Sequence, residues 1–332
     1  MKNKYRNIFL AFGIIAVLIM IFTFDMDYQE LWLNLKRAGV YLPLVLLLWL
    51  FVYLINTVSW YIIIRSGGKT GFSFVRLYKF TVTGFALNYV TPVGLMGGEP
   101  YRIMELKPYI GIERATSSVI LYVMMHIFSH FCFWLSSVLL YVCLYPVGWM
   151  MGIILGAITV FCLLIVILFM KGYRQGMAVA FVRMGGRIPF LKKKVFHFAN
   201  AHKEKLENID KQIALLHQQK KQTFYSALLL EYTARVVSCL EIWLILNVLT
   251  THVSFADCCL IAAFSSLLAN LLFFLPMQLG GREGGFALAV GGLSLSGAYG
   301  VYAALITRVR EMVWIVIGLV GNFKQSKERY SA

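Results

Sequence analysis

Long apolar segments separated by short polar segments dominate the chain and predict membrane-spanning helices. A helix needs about 20 apolar residues to cross the roughly 30 Å hydrocarbon core of a bilayer. Six segments meet this length without interruption: Ile8–Phe24, Tyr41–Ile64, Ser117–Tyr145, Trp149–Met170, Thr223–Leu249 and Val301–Gly321. Two further apolar segments, Leu77–Leu95 and Phe255–Ala298, are interrupted by glycine and proline and predict broken helices.

The distribution of Lys and Arg predicts which side of the membrane each segment faces. Cytoplasmic loops carry an excess of these residues, so the basic N-terminus and the Lys-rich segment 171–221 are predicted to be cytoplasmic. Counting crossings from these two points places both ends of the broken element 77–98 on the cytoplasmic side. The same count, with the basic C-terminus inside, places both ends of the element 255–298 outside. An element that begins and ends on one side must turn back within the membrane.

The predicted fold is therefore an all-α, polytopic transmembrane helical bundle, a single integral membrane domain over residues 1–332. It contains two inverted-topology repeats, each with a broken or re-entrant helix. The first half is 1–145, a crossing and the basic cytoplasmic segment occupy 146–222, and the second half is 223–332. In such folds the binding site lies near the bilayer midplane, where the broken helices meet. We expect a multi-pass protein of the cell (inner) membrane with both termini cytoplasmic.

Composition and charge narrow the function classes. Hydrophobic residues make up 60% of the chain and charged residues 14%, against about 45–50% and about 25% in soluble domains. We therefore attribute the net charge of +16 to cytoplasmic loops and contact with anionic lipid, and expect no nucleic-acid partner. The cysteines lie almost all in apolar runs and predict neither disulfides nor zinc ligands. His126 and His130 share a helix face, but we interpret them as polar contacts between helices, with no metal or cofactor.

A similar string of residues occurs in each broken element. PVGLMGGE starts at Pro92 and PMQLGGRE starts at Pro276, and both fit the pattern P-x-x-L-x-G-x-E. Proline ends the preceding helix, and glycine permits close backbone approach. A new helix can start at Glu99, where its free N–H groups favour an anion such as a lipid phosphate. The residues predicted to form the two breaks are Pro92, Gly97, Gly98, Pro276, Gly280 and Gly281.

These motifs, Gly-Gly-Glu followed by Arg102 in the first half and Gly-Gly-Arg-Glu-Gly in the second, resemble the lysylphosphatidylglycerol synthase transmembrane-region family of flippase-like membrane proteins. The resemblance extends over essentially the whole chain. It implies an all-helical protein that acts on lipids, in the best-known members by moving aminoacylated phosphatidylglycerol between leaflets. Members that also make this lipid carry a soluble aminoacyl-transferase domain after the membrane region. This sequence ends at Ala332, so we expect the stand-alone form without the synthase chemistry.

Charged residues inside predicted spans are costly there and suggest a functional site. Glu231 and Arg235 are four residues apart and are predicted to form an ion pair. Arg308 and Glu311 are three apart and share a helix face, where they either bind or gate the head group or form a structural ion pair. The charged residues of the repeated motif are the strongest candidates for the binding site. The expected substrate-binding residues are Glu99, Arg102, Arg282, Glu283, Arg308, Glu311, Glu231 and Arg235.

The leading functional hypothesis is translocation of a phospholipid or lipid-linked intermediate, with an anionic or zwitterionic head group between the two broken helices. No nucleotide-binding motif occurs, so movement would be downhill or ion-coupled, with Glu99, Glu283, Glu231 and Glu311 as proton carriers. The first alternative is an intramembrane enzyme that uses Glu99 or Glu283 as general base and His126 as its partner. The second is a non-catalytic scaffold for a lipid- or glycan-modifying partner. The protein partners left open are a lipid-modifying enzyme and further copies of this chain in a homo-oligomer.

Overall fold

The computed structural model describes residues 33, 36, 39–90, 97–175, 221–250, 253–271, 281–293 and 295–328. All regular secondary structure within these residues is helical, which confirms the all-α prediction for this part of the chain. The helices, in chain order, are α1 (Tyr41–Ser66), α2 (Phe74–Val90), α3 (Gly98–Ile110), α4 (Ile112–Leu144), α5 (Trp149–Gln175), α6 (Lys221–Leu246), α7 (Phe255–Leu271), α8 (Gly281–Gly291) and α9 (Gly297–Glu328).

The predicted spans correspond closely to individual helices. Of the described helices, α1, α4 and residues 149–170 of α5 are long and apolar enough to cross a membrane. The predicted spans at 223–249 and 301–321 fall on α6 and α9, which have 26 and 32 residues but carry several charged side chains. The predicted first span and most of the basic segment lie outside the described residues. The chain is thus a membrane protein with charged side chains concentrated on particular helices.

Both broken elements contain a pair of short helices. The structure ends α2 at Val90 and starts α3 at Gly98, and it ends α7 at Leu271 and starts α8 at Gly281. Each glycine-containing motif thus begins in an interval, 91–97 or 272–280, that separates two short helices. A proline and several small residues between two apolar runs are therefore enough to locate the breaks from the sequence.

Helices α2 and α3 form a hairpin whose two outer ends lie together. At these ends Arg76 Nη1 donates a hydrogen bond to the Tyr109 hydroxyl at 2.9 Å, and the rings of Phe72 and Tyr109 pack edge to face. At the tip of the hairpin the Gly98 N–H donates to Asn88 Oδ1 at 2.7 Å. Because both ends meet, the chain enters and leaves the hairpin at the same side of the bundle.

The tip of this hairpin requires glycine. Gly98 lies against the backbone carbonyl of Gly84, so closely that a Cβ atom on Gly98 would overlap the Gly84 oxygen. The same Cβ atom would also lie 2.8 Å from Asn88 Oδ1. The missing side chain of Gly98 thus lets α3 approach the α2 backbone, while a Cβ atom on Gly84 would overlap the Arg102 side chain.

The packing of α1–α4 is repeated in α6–α9. Helix α2 contacts α3 and α3 contacts α4, as α7 contacts α8 and α8 contacts α9. Between the halves, α2 contacts α9 as α7 contacts α4, and α1 contacts its counterpart α6. Each helix of the first half therefore has a counterpart with equivalent neighbours in the second half.

Helix α5 lies at the periphery, packed against α4. Its apolar side chains are largely exposed along its length, for example Ile153, Val160 and Ile167. Such a surface is typical of a helix that faces lipid, because a soluble protein would bury these residues. Helix α5 therefore lies outside the interior of the bundle, which is formed by two groups of four helices, α1–α4 and α6–α9.

Candidate functional site

A cavity of about 360 Å³, lined by both polar and apolar side chains, lies between the helices of the bundle. Helices α1–α4 and α6–α9 all contribute lining residues. Ionisable side chains at such a depth are costly and mark binding sites or ion pathways. The charged and histidine residues that line the cavity are Glu99, Arg102, His126, His130, Glu231, Arg235, Glu241, Arg282 and Arg310.

Glu99 and Arg102 bring the first motif to the cavity. Glu99 lies in the first turn of α3, and its Oε1 accepts a hydrogen bond from Asn88 Nδ2 at 2.9 Å. Arg102 Nη1 lies 3.5 Å from the same oxygen, and the Arg102 side chain is 1% exposed. Asn88 therefore joins the end of α2 to the carboxylate that pairs with Arg102.

Aromatic rings surround the Arg102 guanidinium. Its Cζ atom lies 4.8 Å from the ring centre of Phe85, 5.3 Å from Tyr122 and 5.7 Å from Trp60. Within the described part of the chain, Arg102 Nε and Glu99 Oε2 are buried and have no hydrogen-bond partner. The rings stabilise the positive charge, while part of the hydrogen-bonding capacity of both groups stays unused.

Arg282 brings the second motif to the same cavity. It lies in the first turn of α8 and pairs with Glu311 of α9. Glu311 also lies 4.0 Å from Arg308 Nη1 and 3.7 Å from Arg310 Nη2, so three arginines surround one carboxylate. Arg308 and Glu311 are therefore paired, as part of a larger cluster.

A second carboxylate fixes Arg310. The Nε and Nη2 atoms of Arg310 donate to the two oxygens of Glu241 at 2.9 Å and 3.1 Å, a bidentate arrangement. Trp49 Nε1 donates to Glu241 at 2.8 Å, and its ring centre lies 3.7 Å from the Arg310 Cζ atom. The side chains of Arg310 and Glu241 are 1% and 5% exposed. Such a buried pair is tolerated only because each charged group has several partners.

Glu231 is buried and Arg235 is partly buried at the cavity, but they do not form the predicted ion pair with each other. Glu231 Oε2 instead lies 2.8 Å from His126 Nδ1. Arg235 donates to Ser129 Oγ at 3.2 Å and to the carbonyl oxygen of His126 at 3.3 Å. The reason is tertiary: α4 packs against α6 and offers partners closer to each side chain than its neighbour one turn away.

The structure brings most of the predicted site residues together. Five of them line the cavity, whereas Arg308 and Glu311 lie beside it in the cluster around Arg282. Gly97 and Gly98 are buried at the start of α3, and Gly281 begins α8. The lining residues are Glu99, Arg102, Glu231, Arg235 and Arg282. Those outside the described residues are the side chain of Glu283 together with Pro92, Pro276 and Gly280.

The predicted set lacks the three residues that interact around the Arg310 guanidinium: Glu241, Arg310 itself and Trp49. A sequence signal existed for two of them. Glu241 and Arg310 are charged residues inside predicted spans, which is the criterion that identified Glu231 and Arg308. Trp49 gives no comparable signal, because tryptophan is common in membrane helices.

Comparison with known protein families identifies the family of this chain. The family described as "Lysylphosphatidylglycerol synthase TM region" matches residues 8–321, which include both broken elements and every cavity residue. Curated proteins and solved structures gave no match. The matched region also contains the apolar helices α1, α4 and α5. The chain therefore belongs to the lysylphosphatidylglycerol synthase transmembrane-region family and is a membrane protein related to lipid modification or transport.

Proposed function

We propose that the protein translocates a phospholipid or lipid-linked intermediate between leaflets and binds the head group in the central cavity. The observation that carries the proposal is the convergence of both motifs on this cavity. Glu99 and Arg102 follow the first helix break, and Arg282 follows the second. The acyl chains would stay in the bilayer while the head group occupies the polar interior.

Arginine suits the phosphate of a head group. Its planar guanidinium donates two parallel hydrogen bonds and stays charged at any working pH. In the structure Arg102 pairs with Glu99 and Arg282 pairs with Glu311. An arriving phosphate would compete with these carboxylates, so head-group binding would loosen the contacts that hold the short helices in place.

The proposal includes inverted repeats with re-entrant hairpins. It is supported by the repeated packing of α1–α4 in α6–α9 and by the meeting of the outer ends of α2 and α3. At 1.5 Å per residue, α2 and α3 are about 25 Å and about 20 Å long, short of the roughly 30 Å hydrocarbon core. We place the protein in the cell membrane with both termini cytoplasmic, α2–α3 entering from inside and α7–α8 from outside.

Cysteine labelling tests this topology. In a background without native cysteines, Ser73→Cys and Lys107→Cys introduce thiols at exposed positions near the two ends of the α2–α3 hairpin. An impermeant thiol reagent should leave both unlabelled in intact cells and label both after the membrane is opened. Val147→Cys, between α4 and α5, is the external control and should react in intact cells. Labelling of only one hairpin position in intact cells would exclude a re-entrant α2–α3.

Replacing Arg282 with lysine tests head-group binding. Lysine keeps the charge and can still pair with Glu311, but it lacks the fork that holds a phosphate. Transport of fluorescent phosphatidylglycerol in reconstituted vesicles should slow about tenfold or more, since a charge-assisted hydrogen bond contributes about 1.5–3 kcal/mol. Expression and thermal unfolding should match the parent protein. Ile167→Leu, on the lipid-facing side of α5, is the matched control and should transport normally.

Normal transport by variants that lack the arginines would contradict the proposed binding site. If Arg102→Ala and Arg282→Ala both transport phosphatidylglycerol at the parental rate, neither arginine binds the head group. Their pairs with Glu99 and Glu311 would then serve only to hold the helices together.

The hydrogen bond between Glu231 and His126 favours a second candidate function, an intramembrane enzyme acting on a lipid head group. A carboxylate that orients a histidine is a common general-base arrangement. Mass spectrometry of phosphatidylglycerol incubated with the purified protein separates the two functions. Translocation leaves the lipid unchanged, whereas an enzyme yields a new species that disappears in the His126→Gln variant.

A further inference from the structure

We propose that a groove between α4, α5, α7 and α8 binds one acyl chain of the lipid whose head group enters the central cavity. The inference rests on the proposed function and extends it, because it assigns the hydrocarbon part of the lipid to a second site. The ligand class is then a lipid with a long alkyl chain, since a head group without a chain would occupy only one of the two sites.

The groove has a volume of about 170 Å³ and is lined almost entirely by apolar side chains. Val138 of α4, Ile158 of α5, Leu267 of α7 and Leu288 of α8 are examples. None of the described lining residues is charged, and those with a polar side-chain atom are Trp134, Ser137 and Tyr141. Apolar cavities of about this size stay free of water and admit hydrocarbons such as benzene. The groove therefore has the size and the chemistry for a segment of an alkyl chain.

The groove lies in the outer half of the membrane in the proposed topology. Its lining residues on α4 fall within 134–141, and those on α5 fall within 151–158. Helix α4 ends at Leu144 and α5 begins at Trp149. At 1.5 Å per residue, both stretches lie within about 15 Å of the external helix ends, which is half of the roughly 30 Å hydrocarbon core. Acyl chains of the outer leaflet therefore surround the groove.

The groove opens towards these acyl chains. Its lining residues Ile154 and Leu288 are exposed at the surface of the bundle. Water is absent from the bilayer core, and an empty groove would forfeit van der Waals contacts along its walls. Lipid chains are as apolar as these side chains, so the fit of a chain to the groove decides binding. An alkyl chain is the occupant that this environment supplies.

One layer of side chains separates the groove from the central cavity. Trp134 lines the groove, and its Nε1 donates a hydrogen bond at 3.0 Å to Oγ of Ser266, which lines the cavity. The ring centre of Trp134 also lies 5.5 Å from that of His130, another cavity residue. Along α7, Ser266 lines the cavity and the next residue, Leu267, lines the groove. The two sites are therefore close enough for the head group and one chain of a single lipid.

Photo-crosslinking tests the inference with a phosphatidylglycerol that carries a diazirine in the middle of one acyl chain. The full chain is reconstituted in phosphatidylcholine vesicles that contain a small fraction of this probe, and mass spectrometry maps the cross-linked residues. We expect cross-links to concentrate on Trp134, Leu155 and Ile158, relative to the exposed Val160 and Ile167 of α5. Cross-links spread evenly over these five positions would overturn the inference.

Replacing Leu155 with tryptophan fills part of the groove and should remove most of the cross-links to Trp134 and Ile158. Leu164→Trp is the matched control, because it makes the same change on the same helix at an exposed position that lines neither site. It should keep the parental cross-links, and thermal unfolding of both variants should match the parent protein. Unchanged cross-links in Leu155→Trp would contradict the inference. The map of the parent protein tests it even if Leu155→Trp does not fold.

The Arg282→Lys variant separates this inference from the proposed function. If one lipid occupies both sites, weaker head-group binding should lower the cross-links in the groove together with transport. Loss of transport with unchanged cross-links would show that the groove holds an unrelated lipid, and it would overturn only this inference. Parental transport by both Arg102→Ala and Arg282→Ala would contradict the proposed function itself.

Discussion

Replacing Arg310 with methionine should lower the free energy of unfolding by about 3–5 kcal/mol, because removal of one partner leaves a buried charge uncompensated. Arg310 is 1% exposed, forms a bidentate pair with Glu241 and lies 3.7 Å from Glu311. Methionine fills a similar volume, so the loss reports the charge and not a cavity. Denaturant unfolding in detergent, followed by tryptophan fluorescence, measures the change.

A double variant shows that the loss comes from the stranded carboxylate. Adding Glu241→Gln to Arg310→Met removes the unpaired charge and should restore part of the stability. Arg65→Met is the matched control: Arg65 is an exposed arginine at the end of α1, and its loss should cost less than about 0.5 kcal/mol. If Arg310→Met unfolds no more easily than Arg65→Met, the pair with Glu241 does not stabilise the bundle.

Replacing Gly98 with alanine should destabilise the protein by about 3 kcal/mol, at the upper end of the range for overpacking. The new methyl group would overlap the backbone carbonyl of Gly84, which cannot turn away as a flexible side chain could. Helices α2 and α3 would have to separate, and Glu99 would move away from Asn88. Lipid transport and the yield of folded protein should both fall steeply.

Gly156→Ala on α5 is the control for this substitution. A Cβ atom there would meet nothing within 4 Å, and alanine is favoured over glycine in a helix by about 0.5–1 kcal/mol. Gly156→Ala should therefore transport normally and unfold no more easily than the parent. A Gly98→Ala variant with the same properties would show that α2 and α3 do not need their close contact.

The positions of the helix breaks could be predicted from the sequence because they depend on local chemistry. Proline removes a backbone donor wherever it occurs, and the strings that start at Pro92 and Pro276 begin in the intervals that separate α2 from α3 and α7 from α8. The charged residues Arg282 and Arg102 could be assigned to a site for the same reason, since each follows a break.

The partners of the charged residues could not be predicted, because helix packing selects them. Arg310 pairs with Glu241, which is 69 residues away in the chain, and Glu231 pairs with His126 at a separation of 105 residues. Spacing along one helix suggested Glu231 and Arg235 as a pair, but α4 supplied closer partners to both. Spacing identifies which side chains share a face, while the neighbouring helix decides what they bind.

The peripheral helix α5 determines how the two halves are oriented relative to each other in the proposed topology. In the proposed topology, α1–α4 crosses the membrane twice and returns the chain to the side from which it entered. A copy joined directly behind it would start from that same side and take the same orientation. The single crossing of α5 changes the starting side, so in this topology α6–α9 takes the orientation opposite to that of α1–α4. In the proposed topology, one lipid-facing helix is thus sufficient to give the two halves opposite orientations in the membrane.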